Sequence, residues 1–172
     1  LLKANLLANP EDQASRMLLA AAYERAGELQ LAISTYLEAL DRSPRNMQII
    51  VSAVAALYKA NEYDRVDKIL RQATRERLFH PELERLQLQT HLRKGELTSA
   101  GAILENLLRD DPNNESICLS LTLLKIRQNE FADAGVLLNK LKAQKPDSVP
   151  VAAAEVECCI RQNKSEEALQ IC

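Results

Sequence analysis

The sequence predicts an all-α protein built from antiparallel helix pairs that repeat every 34 residues. Three observations lead to this class. The short segments AGEL, ANEY, KGEL, QNEF and QNKS begin at positions 26, 60, 94, 128 and 162, so each lies 34 residues after the one before it. Between these segments apolar residues recur at spacings of three and four, as they do on one face of a helix. No segment shows the bounded alternation of apolar and polar residues that marks a strand.

The recurring segment is interpreted as a tight turn between two helices. Its second position holds residues that tolerate the left-handed backbone conformation at a helix end; they are Gly27, Asn61, Gly95, Asn129 and Asn163. Acidic residues, which suit the positive end of the next helix, come directly afterwards; they are Glu28, Glu62, Glu96 and Glu130, with Lys164 in the last copy. An apolar residue then opens the second helix in the first four copies.

These markers define the predicted helices and repeats. The helix pairs are predicted at 13–26 with 29–42, 47–60 with 63–77, 81–94 with 97–109, 115–128 with 131–143, and 149–162 with 165–172. They correspond to a partial repeat at 1–12, full repeats at 13–46, 47–80, 81–114 and 115–148, and a partial repeat at 149–172. Residues 1–9 fit the tail of a second helix. We expect one solenoid over 1–172 that is a piece of a longer array, with an end that packs on another copy as the alternative.

Further rows keep the same step. Small residues that let two helices approach closely are Ala32, Ala100, Ala134 and Ala168, with Val66 in the remaining place. Prolines that stop a helix stand at Pro10, Pro44, Pro112 and Pro146, with Leu78 where the row is broken. Gly101 and Gly135 also lie 34 residues apart, which favours a close helix approach at both, with an inserted partner as the alternative.

This pattern resembles the tetratricopeptide repeat, whose 34-residue unit carries W-x-x-L-G-x-x-Y, then A-x-x-x-F, then P. The first full unit matches it at Leu19, Ala20, Tyr23, Ala32, Tyr36 and Pro44. The leading Trp is absent from every unit, and His91 and Lys125 stand where an aromatic residue is usual. The resemblance implies a right-handed superhelical solenoid whose first helices line a concave groove that binds an extended peptide or a helix.

The resemblance also implies which side chains line that groove. In order along the chain they are Met17, Ala21, Glu24, Val51, Ala55, Tyr58, Arg85, Gln89, Leu92, Leu119, Leu123 and Ile126. The leucines and isoleucine of the fourth repeat form an apolar patch, for which internal packing is the alternative explanation. Met17 with Ala21, and Val51 with Ala55, stand where relatives that bind chaperone tails carry a Lys and Asn clamp, so we expect no such binding.

A row of cations follows the same period: Arg25, Lys59, Arg93, Arg127 and Arg161. It is interpreted either as a basic ladder for an acidic partner or as cations that complement the negative end of each first helix. The glutamates three residues further on would partly neutralise such a ladder. The helix-end interpretation is the simpler of the two.

The composition excludes several classes of function. With 22 basic and 24 acidic residues the net charge is −2, which gives no bulk attraction to nucleic acid or anionic lipid. The four cysteines, Cys118, Cys158, Cys159 and Cys172, do not have the spacing of a zinc site or a disulfide framework. They are interpreted as small buried residues in a reducing compartment such as the cytoplasm, with a redox or metal role as the alternative.

No catalytic, cofactor-binding or metal-binding set emerges from the sequence. We therefore predict a non-enzymatic scaffold or adaptor that binds a partner protein. Two alternatives stay open: the targeting region of a larger multidomain enzyme, and an RNA-processing scaffold of the related half-repeat type. The near-neutral charge and the regular step disfavour the second of these.

Overall fold

The computed structural model describes Leu6 and residues 9–171, and every regular element in that part of the chain is an α-helix. The helices are α1 Gln13–Arg25, α2 Leu29–Arg42, α3 Met47–Lys59, α4 Tyr63–Arg75, α5 Pro81–Lys94, α6 Leu97–Asp110, α7 Glu115–Arg127, α8 Phe131–Gln144, α9 Val149–Arg161 and α10 Ser165–Ile171. All ten begin at the predicted residue, and α1 to α9 end within two residues of the predicted end. The predicted helix tail at 1–9 lies almost entirely outside the described residues.

The chain divides into two compact units, Leu1–Lys94 and Gly95–Cys172. The first unit contains α1 to α5, and the second contains α6 to α10. The boundary falls between the two helices of the predicted repeat 81–114. One continuous solenoid over 1–172 stays a prediction.

The turns between paired helices have the predicted left-handed backbone. Gly27, Asn61, Gly95, Asn129 and Asn163 have φ angles of 79°, 59°, 73°, 61° and 60°. At the second turn the Asn61 N–H donates to the Tyr58 carbonyl at 3.0 Å, and the Glu62 N–H donates to the Leu57 carbonyl at 3.0 Å. These bonds satisfy carbonyls that the end of α3 would otherwise leave without partners. The glycine and asparagine row is therefore architectural, as predicted.

The first helices begin at a second periodic row that the sequence analysis did not detect. Asp12, Asn46 and Asn114 each precede a first helix, and each side chain accepts from the backbone N–H three residues on, at 3.0, 3.4 and 3.1 Å. His80 holds the same place before α5, where its Nδ1 accepts from the Glu82 N–H at 3.1 Å. Such caps satisfy donors that a helix N-terminus leaves unpaired. The loop histidine is thus a structural residue.

The acidic row works differently from these caps. Glu28, Glu62, Glu96 and Glu130 are the residues before the second helices, yet none caps its helix through a side-chain hydrogen bond. Glu62 instead accepts from Arg65 and Gln30, and these bonds hold the pKa of its carboxyl below the ordinary value. What remains of the predicted role is the favourable interaction of negative charge with the helix dipole.

The small-residue row lies at close contacts inside both units. Ala32, Val66, Ala100 and Ala134 have no exposed surface, and Ala168 is also buried. A Cβ added to Gly101 would lie 3.4 Å from Leu124 Cδ2 of α7, so the predicted close approach holds there. A Cβ added to Gly135 would meet nothing within 4 Å, so the prediction is wrong for Gly135.

Each unit has its own apolar core. In the first unit the core includes Ile33, Val54, Leu57 and Leu70 from three successive helices. In the second unit it includes Leu138, Leu141 and the thiols of Cys118 and Cys158. Cys118, Cys158 and Cys159 are free and buried, as predicted, and burial raises the pKa of the Cys118 and Cys159 thiols. A raised thiol pKa disfavours the reactive thiolate.

Candidate functional site: the first helices

The first helices of the first unit are joined by two equivalent contacts. Lys59 on α3 forms an ion pair with Glu24 on α1. Thirty-four residues further on, Arg93 Nε on α5 donates to the Tyr58 hydroxyl on α3 at 3.4 Å. The repetition arises because both donors belong to one periodic row and both acceptors to another. These contacts hold α1, α3 and α5 side by side.

The predicted groove residues of this unit lie on those three helices, and all of them are at least partly exposed. We call Met17, Ala21, Val51, Ala55, Tyr58, Arg85, Gln89 and Leu92 the first-helix face. Met17, Val51, Ala55 and Tyr58 also pack against the core of the unit with their buried sides. Leu92 is 38% exposed. The face therefore has an apolar floor that is anchored in the fold.

Glu24 belongs to the predicted groove set, but its carboxylate is occupied inside the unit. It accepts from Lys59 and, at 3.3 Å, from the Tyr36 hydroxyl of α2. Burial together with the charge of Glu24 raises the pKa of Tyr36 to about 12. Glu24 thus serves to join α1, α2 and α3.

The predicted apolar patch of the second unit is more deeply buried. Leu119 and Leu123 are half-buried against the core of that unit, which supports the packing explanation for much of their surface. Ile126 has no exposed surface and belongs to the cluster that includes Ala154 and Cys158 of α9. Ile126 holds the position in its repeat that Glu24 and Tyr58 hold in theirs, and those two residues contact the first helix of the following repeat. Because its side chain has no exposed surface, Ile126 cannot contact a partner and is removed from the candidate site.

All five cations of the predicted ladder are exposed: Arg25, Lys59, Arg93, Arg127 and Arg161. Each lies in the last turn of its helix or next to it, where a cation complements the negative end of the dipole. Lys59 and Arg93 make the contacts between first helices described above. Arg161 pairs with Glu157 of its own helix at 3.3 Å. In the preceding repeat the position equivalent to Glu24 and Tyr58 is Ile126, which has no polar group to accept from Arg161. The ladder as a partner-binding row stays a prediction.

One charged cluster was missed at the sequence level. Lys125, which stands where an aromatic residue is usual, lies 3.1 Å from Glu105, 2.7 Å from Glu130 and 4.0 Å from Asp133, and its side chain is only 16% exposed. The hydrogen bond that Lys125 donates to Glu130 is the main cause of its raised pKa. The lysine therefore joins α6, α7 and α8 by charge instead of by a packed ring. The sequence does carry a signal for this cluster: a lysine stands at a position that usually holds an aromatic residue, and acidic residues are nearby in sequence.

The described residues contain neither a candidate metal-binding group nor a candidate membrane-spanning helix. No group of three or more His, Cys, Asp or Glu residues there has the arrangement to hold a metal ion. Among the same residues, no helix has the length and apolar character needed to cross a membrane.

Paired helices with periodic turns and a row of contacts between first helices define an all-α helical-repeat solenoid, a class of interaction scaffold that is generally non-catalytic. Family models described as tetratricopeptide repeat match residues 15–48 and 91–155. The chain belongs to the tetratricopeptide repeat family and contains several repeats. Among curated proteins the sequence has no match.

Solved structures support the same fold. The chain is similar to YrrB, described as a TPR protein with an unusual peptide-binding site, with a TM-score of 0.73, 14% identity, and coverage of 99% of this chain and 88% of that one. A tetratricopeptide repeat protein from Parabacteroides merdae gives a TM-score of 0.74 at 17% identity, covering 99% and 68%. MamA from Desulfovibrio magneticus RS-1 gives 0.76 at 13% identity, covering 94% and 91%. At these identities the likeness shows the fold.

Proposed function

We propose that the protein is a non-catalytic scaffold that binds a peptide or helix of a partner protein along the first-helix face. The observation that carries this proposal is the apolar floor of that face on three helices fixed side by side. Because Lys59–Glu24 and Arg93–Tyr58 hold these helices together, the floor is organised before a partner arrives. Pre-organisation lowers the entropic cost of binding.

The chemistry of the face favours a partner segment with apolar side chains. Met17, Val51 and Ala55 offer partly exposed apolar surface, and Tyr58 adds a ring that carries a polar group. Arg85 is exposed at the edge, but Glu82 accepts two hydrogen bonds from its guanidinium, so its charge is partly neutralised. An amphipathic helix or an extended segment with apolar residues on one side fits such a floor.

The first unit is a better place for this site than the apolar patch proposed from the sequence. Leu119 and Leu123 are part of the packing of the second unit, so their substitution by Asp would damage folding together with any binding. Ala21 and Leu92 have exposed surface on the first-helix face, so a charge introduced there would lie against a bound partner. The chaperone-tail clamp remains without its Lys and Asn residues, and we propose no binding to such tails.

The test begins with affinity capture of partners by the intact protein, followed by calorimetry with each purified partner. The Ala21→Arg, Leu92→Asp double variant should weaken binding by about tenfold or more, because a charge on an apolar floor must be desolvated on binding. Leu31→Asp is the matched control: Leu31 is 46% exposed but lies on the second helix α2. It should leave affinity unchanged.

Equal binding by the wild type and the double variant, with both folded as judged by thermal melting, would contradict the proposal. Loss of binding in the Leu31→Asp control alone would place the partner elsewhere on the unit.

We also propose that the protein works in a reducing compartment such as the cytoplasm, because the three described cysteines are free thiols in buried positions. Protein isolated without added reductant and then unfolded in the presence of an alkylating reagent should have all its cysteines alkylated. Recovery of a disulfide in the native protein would contradict this compartment.

A further inference from the structure

The second helix α4 differs from the other second helices in its charge. Its 13 residues contain four cations, whereas α2 and α6 contain one each, α8 two and α10 none. Three of these four, Lys68, Arg71 and Arg75, are spaced by three and four residues and therefore share one face of the helix. All three are exposed. We call them the basic stripe.

Ion pairing distinguishes the stripe from the fourth cation of α4. Among the described residues, no carboxylate lies within ion-pair distance of Lys68, Arg71 or Arg75, whereas the fourth cation, Arg65, pairs with Glu62 at 2.5 Å. The two acids of α4 are held elsewhere: Lys94 of α5 lies 2.5 Å from Asp67 and 3.3 Å from Asp64. Asp64 and Asp67 lie one helical turn before Lys68 and Arg71, so the cations of α4 outnumber its acids four to two on and beside this face. A local positive surface exists although the chain as a whole is slightly negative.

An apolar cleft adjoins this stripe. It has a volume of about 330 Å³, lies between α2 and α4, and has Lys68 in its wall. Its apolar lining comprises Leu37, Leu40, Pro44, Ile50, Ile69, Ala73 and Leu78. Asp41, Arg65, Gln72 and Glu76 also line it, and Glu76 is engaged with Arg45 at 3.6 Å and with Gln72 at 3.2 Å. Cavities of this size that combine apolar walls with a few charged groups are typical binding sites.

The cleft depends on the one place where the proline row is broken. α4 ends in a turn in which Arg77 has a φ of 56°, and the Leu78 N–H donates to the Ala73 carbonyl at 2.9 Å. This turn brings Leu78 back against the core, where it forms part of the cleft wall. Proline cannot donate that hydrogen bond. The Leu78 hydrogen bond in the wall of this cleft is therefore one that a proline in the same place could not form.

We propose that the α2–α4 cleft and the basic stripe together bind an acidic peptide segment of a partner protein. One bulky apolar side chain of the peptide enters the cleft, and its carboxylates pair with Lys68, Arg71 and Arg75. Charge complementarity commits the site to an anionic ligand. The concave apolar cleft favours a peptide over a membrane, which needs apolar groups that project from the protein. It also favours a peptide over RNA, since no aromatic ring lines the cleft for base stacking.

This second surface is independent of the first-helix face and is tested separately. A random peptide library displayed on phage is selected on the immobilised protein, with the Ala21→Arg, Leu92→Asp variant as bait to remove ligands of the first-helix face. The recovered peptides should share acidic residues around one bulky apolar residue. Replacing that apolar residue by Ser should weaken binding about tenfold or more, and added salt should weaken it further.

Charge reversal at Lys68, Arg71 and Arg75 to Glu should lower the affinity of the selected peptide by about tenfold or more. Replacing the same three residues by Gln removes their charge without adding acids. This variant should also lower the affinity of the peptide, and it shows whether the effect of the Glu variant comes from a folding defect. Reversal of Arg25, Arg127 and Arg161 is the control for overall charge and should have little effect.

Three results would overturn the proposal: selected peptides without acidic residues, full binding by the stripe variants, or loss of binding only in the control. Vesicles of phosphatidylcholine and phosphatidylserine, and a single-stranded RNA, are measured alongside. Binding of either one that depends on the stripe, without acidic peptides among those selected, would assign the stripe to that ligand and contradict a peptide site.

Discussion

Single residues in this protein have roles that follow from the period, and departures from the period have local consequences. Gly27 and Gly95 occupy left-handed positions, whereas Gly101 and Gly135 lie inside helices. Four glycines thus divide into two required by backbone conformation, one beside a packed leucine and one with open space around it. Replacing each glycine by alanine should therefore change the free energy of unfolding by a different amount.

Gly135→Ala should raise the free energy of unfolding by up to about 1 kcal/mol, because a mid-helix glycine is less favourable than alanine and the added methyl group meets no neighbour. Gly101→Ala should raise the free energy of unfolding by less, since the added methyl group would contact the Leu124 side chain. Gly27→Ala should lose about 1 kcal/mol at its positive φ. Urea unfolding of the three variants checks the order, and a destabilised Gly135→Ala would contradict it.

Lys125→Met should lower the free energy of unfolding by about 1 kcal/mol, because the carboxylates of Glu105, Glu130 and Asp133 lose their shared cation. Those carboxylates are substantially exposed, which keeps the effect modest. Lys164→Met, in an exposed pair with Glu167, is the control and should change stability by less than about 0.5 kcal/mol. Equal effects in a urea melt would show that the cluster contributes no more than a surface pair.

At the scale of elements, the sequence predicted where helices begin better than it predicted which face of each helix is buried. Turn residues are local, so Gly27 or Asn61 could be predicted from backbone preference alone. The fate of Ile126 depends on which helix lies beside it, and no spacing within α7 carries that information. The cap at His80 and the cluster at Lys125 likewise require groups to meet in space.

The end of α4 is the element that departs furthest from its equivalents. Arg77→Gly should raise the free energy of unfolding by about 0.5–1 kcal/mol, because glycine adopts a φ of 56° without the steric cost that arginine bears. Arg71→Gly, inside the same helix, should lower it by about 1 kcal/mol. Thermal denaturation of both variants distinguishes the two cases; a destabilised Arg77→Gly would mean that its side chain stabilises the turn.

For the whole molecule, the class of fold was predictable because one period governs the entire chain. The basic stripe and the α2–α4 cleft were not, since the net charge conceals a local surface and Leu78 in the cleft wall stands where the proline row is broken. The first-helix face lies between these cases. Its residues could be proposed from the family pattern, but their exposure depends on packing.

Acid should destabilise the protein as carboxyls in the first unit are protonated. Hydrogen bonds from Ser15, Arg65 and Arg85 lower the pKa values of Asp12, Glu62 and Glu82, respectively. Because the folded-state pKa lies below the unfolded one, their contribution is present above the ordinary values of 3.8 for Asp and 4.5 for Glu and is lost as pH falls through the folded values. Melting temperatures between neutral pH and about pH 3 should therefore fall below about pH 4.5. The Arg65→Met, Arg85→Met variant should respond less steeply; an identical pH profile would contradict the assigned cause.

The measurement that tests the central claim most directly is hydrogen exchange of the protein with and without a captured partner. We predict added protection in α1, α3 and α5, the helices of the first-helix face, and loss of that protection in the Ala21→Arg, Leu92→Asp variant. Protection confined to α2 and α4 would contradict the proposed face and support the α2–α4 cleft instead. Protection in neither set of helices would contradict both surfaces.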